Sequence, residues 1–392
     1  MNRVLLAAAW LCVLAHDPAA AEQLWAEVHH PHRGQLVREP IGLVEVRGWA
    51  GSGLRGYHDV VLVIDRSGST WRASGVDVDG DAKIGRDVVI EGAAGERRRV
   101  VTDPDDTIAE AQLLAARRLI ERLDGNTTRM GIVTFAGIER VPARIGTTAD
   151  GLLAALVGLP DTPEIGGTYL YGAIIASMRL LKEAPTPPGQ YRQRSIILLS
   201  DGLPNAPPPR RSAEKAAVRA ARYAGEAHIP IYAFALGTEV AARPQVFAQI
   251  AEANGGELLF VERPGEIIDF VPHMSLSRLS RIEIQNLTSG HSARAVRLFP
   301  DGTFDGYAPL LEGKNLLRVT IYGERGGSTS VDLPVTFEQL AAEHPGARRR
   351  LQILLDELRS RTLETRLAEQ ARLRREEALA RSLEITVDRE RR

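Results

Sequence analysis

At 392 residues the chain exceeds one ordinary domain, so two or three folding units are expected. A composition of 44% apolar and 25% charged residues is globular and excludes wholesale disorder. Lysine plus arginine number 49 against 50 aspartate plus glutamate, a formal charge of −1. That balance argues against nucleic acid or an anionic membrane surface as the main partner. Arginine makes up nearly all of the basic residues, which reads as codon preference rather than chemistry.

Residues 1–21 have the form of an export signal. Arg3 precedes an apolar run from Leu5 to Ala15 that is too short to cross a bilayer as a helix, and Pro18-Ala19-Ala20-Ala21 supplies the small residues a signal peptidase needs. Cys12 is the only cysteine and lies inside this segment. Trp10 and Leu11 stand before it where a lipid anchor wants small residues. The mature chain therefore has no disulfide framework, thiolate nucleophile or thiolate zinc site. No later apolar run approaches the ~20 residues of a spanning helix, so a soluble, periplasmic or secreted protein is expected.

Residues 22–56 carry short strand patterns, Leu24–Val28 and Ile41–Val46, broken by Pro31, Gly34 and Pro40. From 57 to 275 the style changes. Near-continuous apolar runs at Asp59–Ile64, Gly131–Phe135, Ser195–Leu199, Pro230–Leu236 and Glu257–Val261 read as strands buried on both faces. Helical patterns at Thr107–Leu123, Asp150–Leu159, Tyr169–Glu183, Ser212–Ala227 and Gln245–Asn254 alternate with them. Such alternation means a doubly wound, mostly parallel α/β sheet, whose functional loops lie at the carboxyl ends of the strands.

Residues 278–337 return to the earlier style, with strands expected at Ile282–Gln285, Arg294–Leu298, Gly306–Leu310, Leu316–Tyr322 and Ser330–Phe337. Pro300-Asp301-Gly302, Glu312-Gly313 and Gly326-Gly327 supply the turns. Two N-terminal strands alone would be unstable. The two flanks are therefore expected to form one β-sandwich around the α/β unit. The stretches Asp301–Gly306 and Leu311–Leu316 resemble bacterial immunoglobulin-like domains. Residues 338–392, rich in Leu, Arg and Glu, form a long charged helix. It is either a coiled coil that mediates self-association or a solvated helix on the sandwich.

The chemistry gathers in three loops. The first buried strand ends in Asp65-Arg-Ser67-Gly-Ser69, a second loop carries Gly166-Gly-Thr168, and the third buried strand ends in Ser200-Asp201-Gly202. All leave the same sheet edge, so they can converge. Two carboxylates and three hydroxyls suit a hard cation: Mg²⁺, or else Mn²⁺ or Ca²⁺. So few ligands leave a coordination position open, and an incoming Asp or Glu of a partner could complete the sphere.

The order Asp-x-Ser-x-Ser, Gly-Gly-Thr, Ser-Asp-Gly resembles the metal-ion-dependent adhesion site of von Willebrand factor type A domains. The resemblance spans residues 57–275, including Ile229-Pro-Ile-Tyr-Ala-Phe-Ala-Leu-Gly237. It implies that Asp65, Ser67, Ser69 and Thr168 approach the metal directly or through water, that Asp201 acts chiefly through water, and that the role is protein binding rather than catalysis.

One departure is the insertion 71–106, Trp71 to Asp106, ahead of the first helix. Within it Asp77, Asp79, Asp81, Lys83 and Asp87 follow the calcium-loop spacing of EF-hands and dockerins. Ala82 stands where glycine is wanted, however, and Val88 where the bidentate acid belongs. A bound Ca²⁺ and a polar surface loop are the two readings.

Gly51-Ser-Gly53-Leu-Arg-Gly56 matches a dinucleotide fingerprint as a string but leads into a strand, so a linker is expected. His29-His30-Pro31-His32 is read as a solvated hairpin turn rather than a zinc site. Arg97–Arg99 and Arg348–Arg350 are read as solvated faces. No P-loop, nucleophile elbow or acid–base pair appears, so an enzyme is not expected. The functions to weigh are metal-dependent protein binding and, as the alternative, a structural assembly protein in which the metal stabilises the fold.

Overall fold

The computed structural model describes residues 23–390 except 54–55, 92–95, 161, 163, 165, 325 and 342–345, and the side chains through 381. The expected export signal, with Cys12, lies outside the described residues.

The chain opens with β1 (Leu24–His30), β2 (Leu36–Glu39) and β3 (Leu43–Ser52). β1 and β3 pair antiparallel with Trp25 opposite Gly51, so Gly51 and Ser52 end a strand instead of belonging to a linker. His29 and His30 likewise close β1.

The α/β unit begins with β4 (Tyr57–Asp65). The insertion follows, holding a short hairpin of β5 (Asp87–Glu91) and β6 (Arg97–Val101). Then come α1 (Ile108–Arg122), β7 (Thr128–Phe135), β8 (Glu139–Ala143), α2 (Ala149–Val157) and α3 (Leu170–Glu183). The unit closes with β9 (Arg192–Ser200), α4 (Arg210–Glu226), β10 (Ile231–Leu236), α5 (Thr238–Ala241), α6 (Gln245–Asn254), β11 (Glu257–Val261) and α7 (Ile267–Phe270).

Six strands make its sheet, in the order β11-β10-β9-β4-β7-β8. All neighbours are parallel except β8, which runs antiparallel at the edge. The continuous apolar sequence of β4 is explained by its central place. Val60, Leu62 and Ile64 enter one core with α1 residues such as Ala111, Ala115 and Leu119, while Val61 and Val63 enter the other with Leu170, Ile174 and Ala217. A strand covered on both faces has no polar side. The Thr107 hydroxyl accepts the Glu110 N–H at 3.2 Å and caps α1. Strand order reverses at β4, so the carboxyl end of that strand is the switch point where such sheets place their sites.

The remaining strands are β12 (Leu279–Asn286), β13 (His291–Ser292), β14 (Arg294–Leu298), β15 (Thr303–Pro309), β16 (Gly313–Gly323) and β17 (Ser328–Gln339). They combine with the first three into two sheets, β1-β3-β15-β14 and β13-β12-β16-β17-β2. Val44, Val46 and Phe304 from one sheet share a core with Ile284, Leu317, Val319 and Val335 from the other. The chain between β1 and β2 therefore crosses from one sheet to the other instead of making the hairpin expected at His29–His32, and β2 pairs parallel with β17. Burial lowers the His30 imidazole from its ordinary value.

Asp301, read from sequence as a turn residue, pins the sandwich to the α/β unit. Its Oδ2 accepts the Asp124 N–H at 3.1 Å and the Thr127 hydroxyl at 2.6 Å, and its carbonyl accepts the Trp49 indole N–H at 3.0 Å.

The C-terminal helix α8 (Ala347–Glu390) lies along its own chain. Arg350 pairs with Glu39 at 2.6 Å and Arg361 with Glu45 at 2.7 Å on the sandwich. Further along, Arg374 reaches Asp269 at 2.6 Å and Arg375 reaches Glu257 at 2.8 Å on the α/β unit. Ala371 is buried, and Ala378 and Leu379 pack on the α/β core. Of the two sequence readings, the surface-packed helix describes these contacts, extended to both units; Arg350, expected on a solvated face, is ion-paired. No helix among the described residues is long and apolar enough to cross a membrane.

Candidate metal centre

β4 delivers Asp65 at its last position, and the chain then turns through Ser67 into a single 3₁₀ turn, Gly68–Trp71. Asp65 is fully buried; its Oδ1 accepts the Ser67 N–H at 2.9 Å and its Oδ2 the Ser200 hydroxyl at 2.6 Å. The Ser67 and Ser69 hydroxyls are 3.2 Å apart, and Ser69 donates to Asp201 Oδ1 at 2.9 Å. Asp65, Ser67, Ser69 and Asp201 thus form one connected patch.

Thr168 arrives from the loop before α3. A Cβ on Gly202 would stand 2.9 Å from Thr168 Oγ1 and 3.5 Å from Ser69 Oγ, so both hydroxyls crowd that glycine and only the absence of a side chain lets the loops meet. All five residues expected at the site are therefore brought together.

Burial pushes the Asp65 carboxyl up to about 6. Burial, and then the charge of Asp65, holds Asp201 well above the usual carboxylate range. Two carboxylates desolvated beside each other want a cation between them. Arg66, only 1% exposed, is engaged elsewhere: its guanidinium donates to the Pro160 carbonyl at 2.5 Å and stands 5.4 Å from the Trp71 ring centroid.

Two supporting residues escaped the sequence reading. Ser200 orients Asp65 from the end of β9, and its identity was visible beside Asp201 without signalling that role. Asn205 Oδ1 accepts the Thr168 N–H at 2.7 Å and lies where a Cβ on Gly167 would fall, 2.3 Å away. No motif announces it.

The insertion arranges its acids differently from the calcium-loop spacing. Asp77 and Asp79 lie near Asp106, and Asp79 also near Asp103 and Asp105, each trio having carboxylate oxygens within 4.8 Å of one another. Asp81 instead pairs with Lys83 at 2.6 Å, and Asp87 turns to the Ala73 N–H at 3.1 Å. So Asp77, Asp79, Asp81, Lys83 and Asp87 do not gather around one point, and the acids beside Asp77 and Asp79 come from residues beyond the expected loop. Nor do His29, His30 and His32 form a metal-binding trio among the described residues.

The sequence comparison falls on this doubly wound sheet and the oxygen-lined loop cluster at its switch point. Residues 60–203, within the α/β unit, match the family model described as von Willebrand factor type A domain. Several solved structures are similar in part. The conserved hypothetical protein BatB from Bacteroides thetaiotaomicron shares 18% identity over 52% of this chain and 90% of that one, with a TM-score of 0.36. A von Willebrand factor type A protein from Catenulispora acidiphila shares 12% over 83% of this chain and 75% of its own, with a TM-score of 0.37. Proximal thread matrix protein 1 of the mussel byssus shares 15% over 55% of this chain and 45% of its own, with a TM-score of 0.36. The zinc-occupied MIDAS motif in its description belongs to the mussel protein. No curated protein matches the chain in sequence.

Proposed function

We propose that the chain is an exported binding protein whose von Willebrand factor type A domain holds a divalent cation on Asp65, Ser67, Ser69, Thr168 and Asp201. Through that cation it captures an acidic side chain of a partner protein. The observation that carries this reading is the connected set in which Asp65 Oδ1 accepts the Ser67 N–H at 2.9 Å, the Ser67 and Ser69 hydroxyls stand 3.2 Å apart, and Ser69 donates to Asp201 at 2.9 Å.

The residues fit the ion. The donors are all hard oxygens, as Mg²⁺, Mn²⁺ or Ca²⁺ require. Neutral hydroxyls outnumber carboxylates, so a bound ion keeps enough positive charge to attract one more carboxylate. Ser200 and Asn205 hold the ligating loops in place, which is binding architecture rather than reaction machinery.

Titrating Mg²⁺ into the purified protein by calorimetry should give a saturable heat that Asp65→Ala abolishes. Equal heats in the two proteins would sink the metal assignment.

A second reading, a surface or periplasmic assembly protein in which the metal only stabilises the fold, has one observation in its favour. Leu363 and Leu367, one helical turn apart on α8, are 60% and 56% exposed. Under that reading, sedimentation should show an oligomer that Leu363→Glu with Leu367→Glu dissolves. A monomer at all concentrations, with or without metal, removes it.

A further inference from the structure

At the opposite end of the sheet from the metal loops, where β4, β9 and β10 begin and the sandwich meets the α/β unit, there is a second cleft. We propose that it binds a small organic anion, sugar-sized and bearing a phosphate or carboxylate group. This proposal stands independently of the metal reading.

The cleft encloses about 440 Å³, within the ~300–1,000 Å³ typical of small-molecule sites. Arg192, Arg194, Arg278 and His228 line it, and no aspartate or glutamate is among its lining residues. The charges are only partly answered. Arg192 is engaged at every nitrogen, with Nε donating to buried Asp59 at 2.8 Å, Nη1 to Gln190 Oε1 at 3.2 Å and Nη2 to the His58 carbonyl at 3.0 Å, so the unanswered charge rests on Arg194 and Arg278. The Arg194 Nε is buried without a hydrogen-bond partner among the described residues. Arg278 bonds the Tyr232 hydroxyl, which also feels the more weakly coupled charges of Glu324 and Glu257.

The buried Nε leaves Arg194 short of acceptors, and an oxyanion that meets its outer nitrogens from the cleft is the group that would neutralise it. The guanidinium fork matches the two oxygens of a carboxylate or phosphate. The volume leaves room for more than the anion alone. Tyr191, 49% exposed at the rim, offers a ring face, and the Tyr232 and His228 side chains offer polar contacts of the kind sugar hydroxyls accept. Arg194 comes from β9 and Arg278 from the segment just before β12, so a bound ligand would touch both units.

The test is calorimetry on the full chain at fixed ionic strength with glucose 6-phosphate, glucuronate and glucose. At least one of the two sugar anions should bind at least tenfold more tightly than glucose, and the tighter one identifies phosphate or carboxylate as the recognised group. Arg194→Gln should weaken that binding at least tenfold, and Arg194→Lys should recover part of it, which a merely misfolded variant would not do. Arg211→Gln on α4 and Asp65→Ala should leave it unchanged. Failure of both anions to outbind glucose, or an equal loss in Arg211→Gln, would overturn the proposal.

Discussion

The loop that follows β4 and the insertion behind it are both crowded with short oxygen-bearing side chains, and they use them in opposite ways. In the insertion, carboxylates are consumed by neighbouring backbone. Asp77 accepts the N–H groups of Gly80 and Ala82 at 2.7 and 2.9 Å, Asp79 that of Asp81 at 3.1 Å, and buried Asp106 those of Val78 and Gly85 at 2.6 and 2.7 Å. The Asp77 and Asp79 bonds build turns and the Asp106 bonds tie the two ends of the insertion together, and all of them satisfy backbone donors of a segment with little regular structure. At the β4 loop the bonds run from side chain to side chain between separate elements, Ser69 to Asp201 and Ser200 to Asp65. Spacing along the sequence cannot separate the two cases. What separates them is whether the sheet brings a second loop to the first.

The largest way to break this comparison is through stability in the metal-free state, where the two regions should respond with opposite signs. Asp106→Ala strips one buried and one partly buried N–H group of their acceptor and should cost about 2–4 kcal/mol, at ~1–3 per unsatisfied group. Asp65→Asn should instead stabilise. The amide oxygen still accepts the Ser67 N–H, the amide NH₂ can donate to Ser200, and a buried charge beside Asp201 is gone. The native carboxyl of Asp65, raised to about 6 against an ordinary 3.8, makes its charged form a liability above that pH. The gain should therefore appear at pH 8, roughly 1–2 kcal/mol, and fade as pH falls through 6 toward 4, where the native Asp65 carboxyl is protonated and its unfolded counterpart is approaching its own midpoint. Urea unfolding in EDTA at pH 8 and pH 4 measures both variants; destabilisation by Asp65→Asn at pH 8 would show that the site is organised by its carboxylate rather than waiting for a cation.

Much of this arrangement is legible in the sequence, for identifiable reasons. β4, β7, β9 and β10 are readable because both faces are buried, which forces unbroken apolar runs. β8 is not, because it is an exposed edge that carries Glu139, Arg140 and Pro142. The β5–β6 hairpin is hidden for a similar reason: its strands are exposed on both faces, so neither alternation nor a continuous run marks them. Asp65, Ser67, Ser69, Thr168 and Asp201 are legible because they lie at the carboxyl ends of readable strands or at the start of a readable helix. The calcium-loop spacing, by contrast, gives no sign that Asp103, Asp105 and Asp106 close around Asp77 and Asp79. Those three sit past the hairpin, at the far end of the insertion.

A smaller effect sharpens the contrast at the level of single supports. Among the described residues the Ser200 hydroxyl donates only to Asp65 and to the Gly202 carbonyl, and it fixes Asp65 Oδ2 at 2.6 Å. Groups that orient a metal ligand from behind typically matter ~10–100-fold in affinity. Ser200→Ala should accordingly weaken Mg²⁺ binding by about tenfold without unfolding the domain, since it removes one hydroxyl from a well-packed strand end. Asp87→Asn, in the insertion, should leave Mg²⁺ affinity essentially unchanged, because Asp87 holds the Ala73 N–H and is in neither acidic trio found among the described residues. Calorimetric titration of the two variants side by side tests this. If Asp87→Asn weakens the ion as much as Ser200→Ala does, the insertion is part of the metal centre, and the division between a site built across loops and a segment built on its own backbone fails.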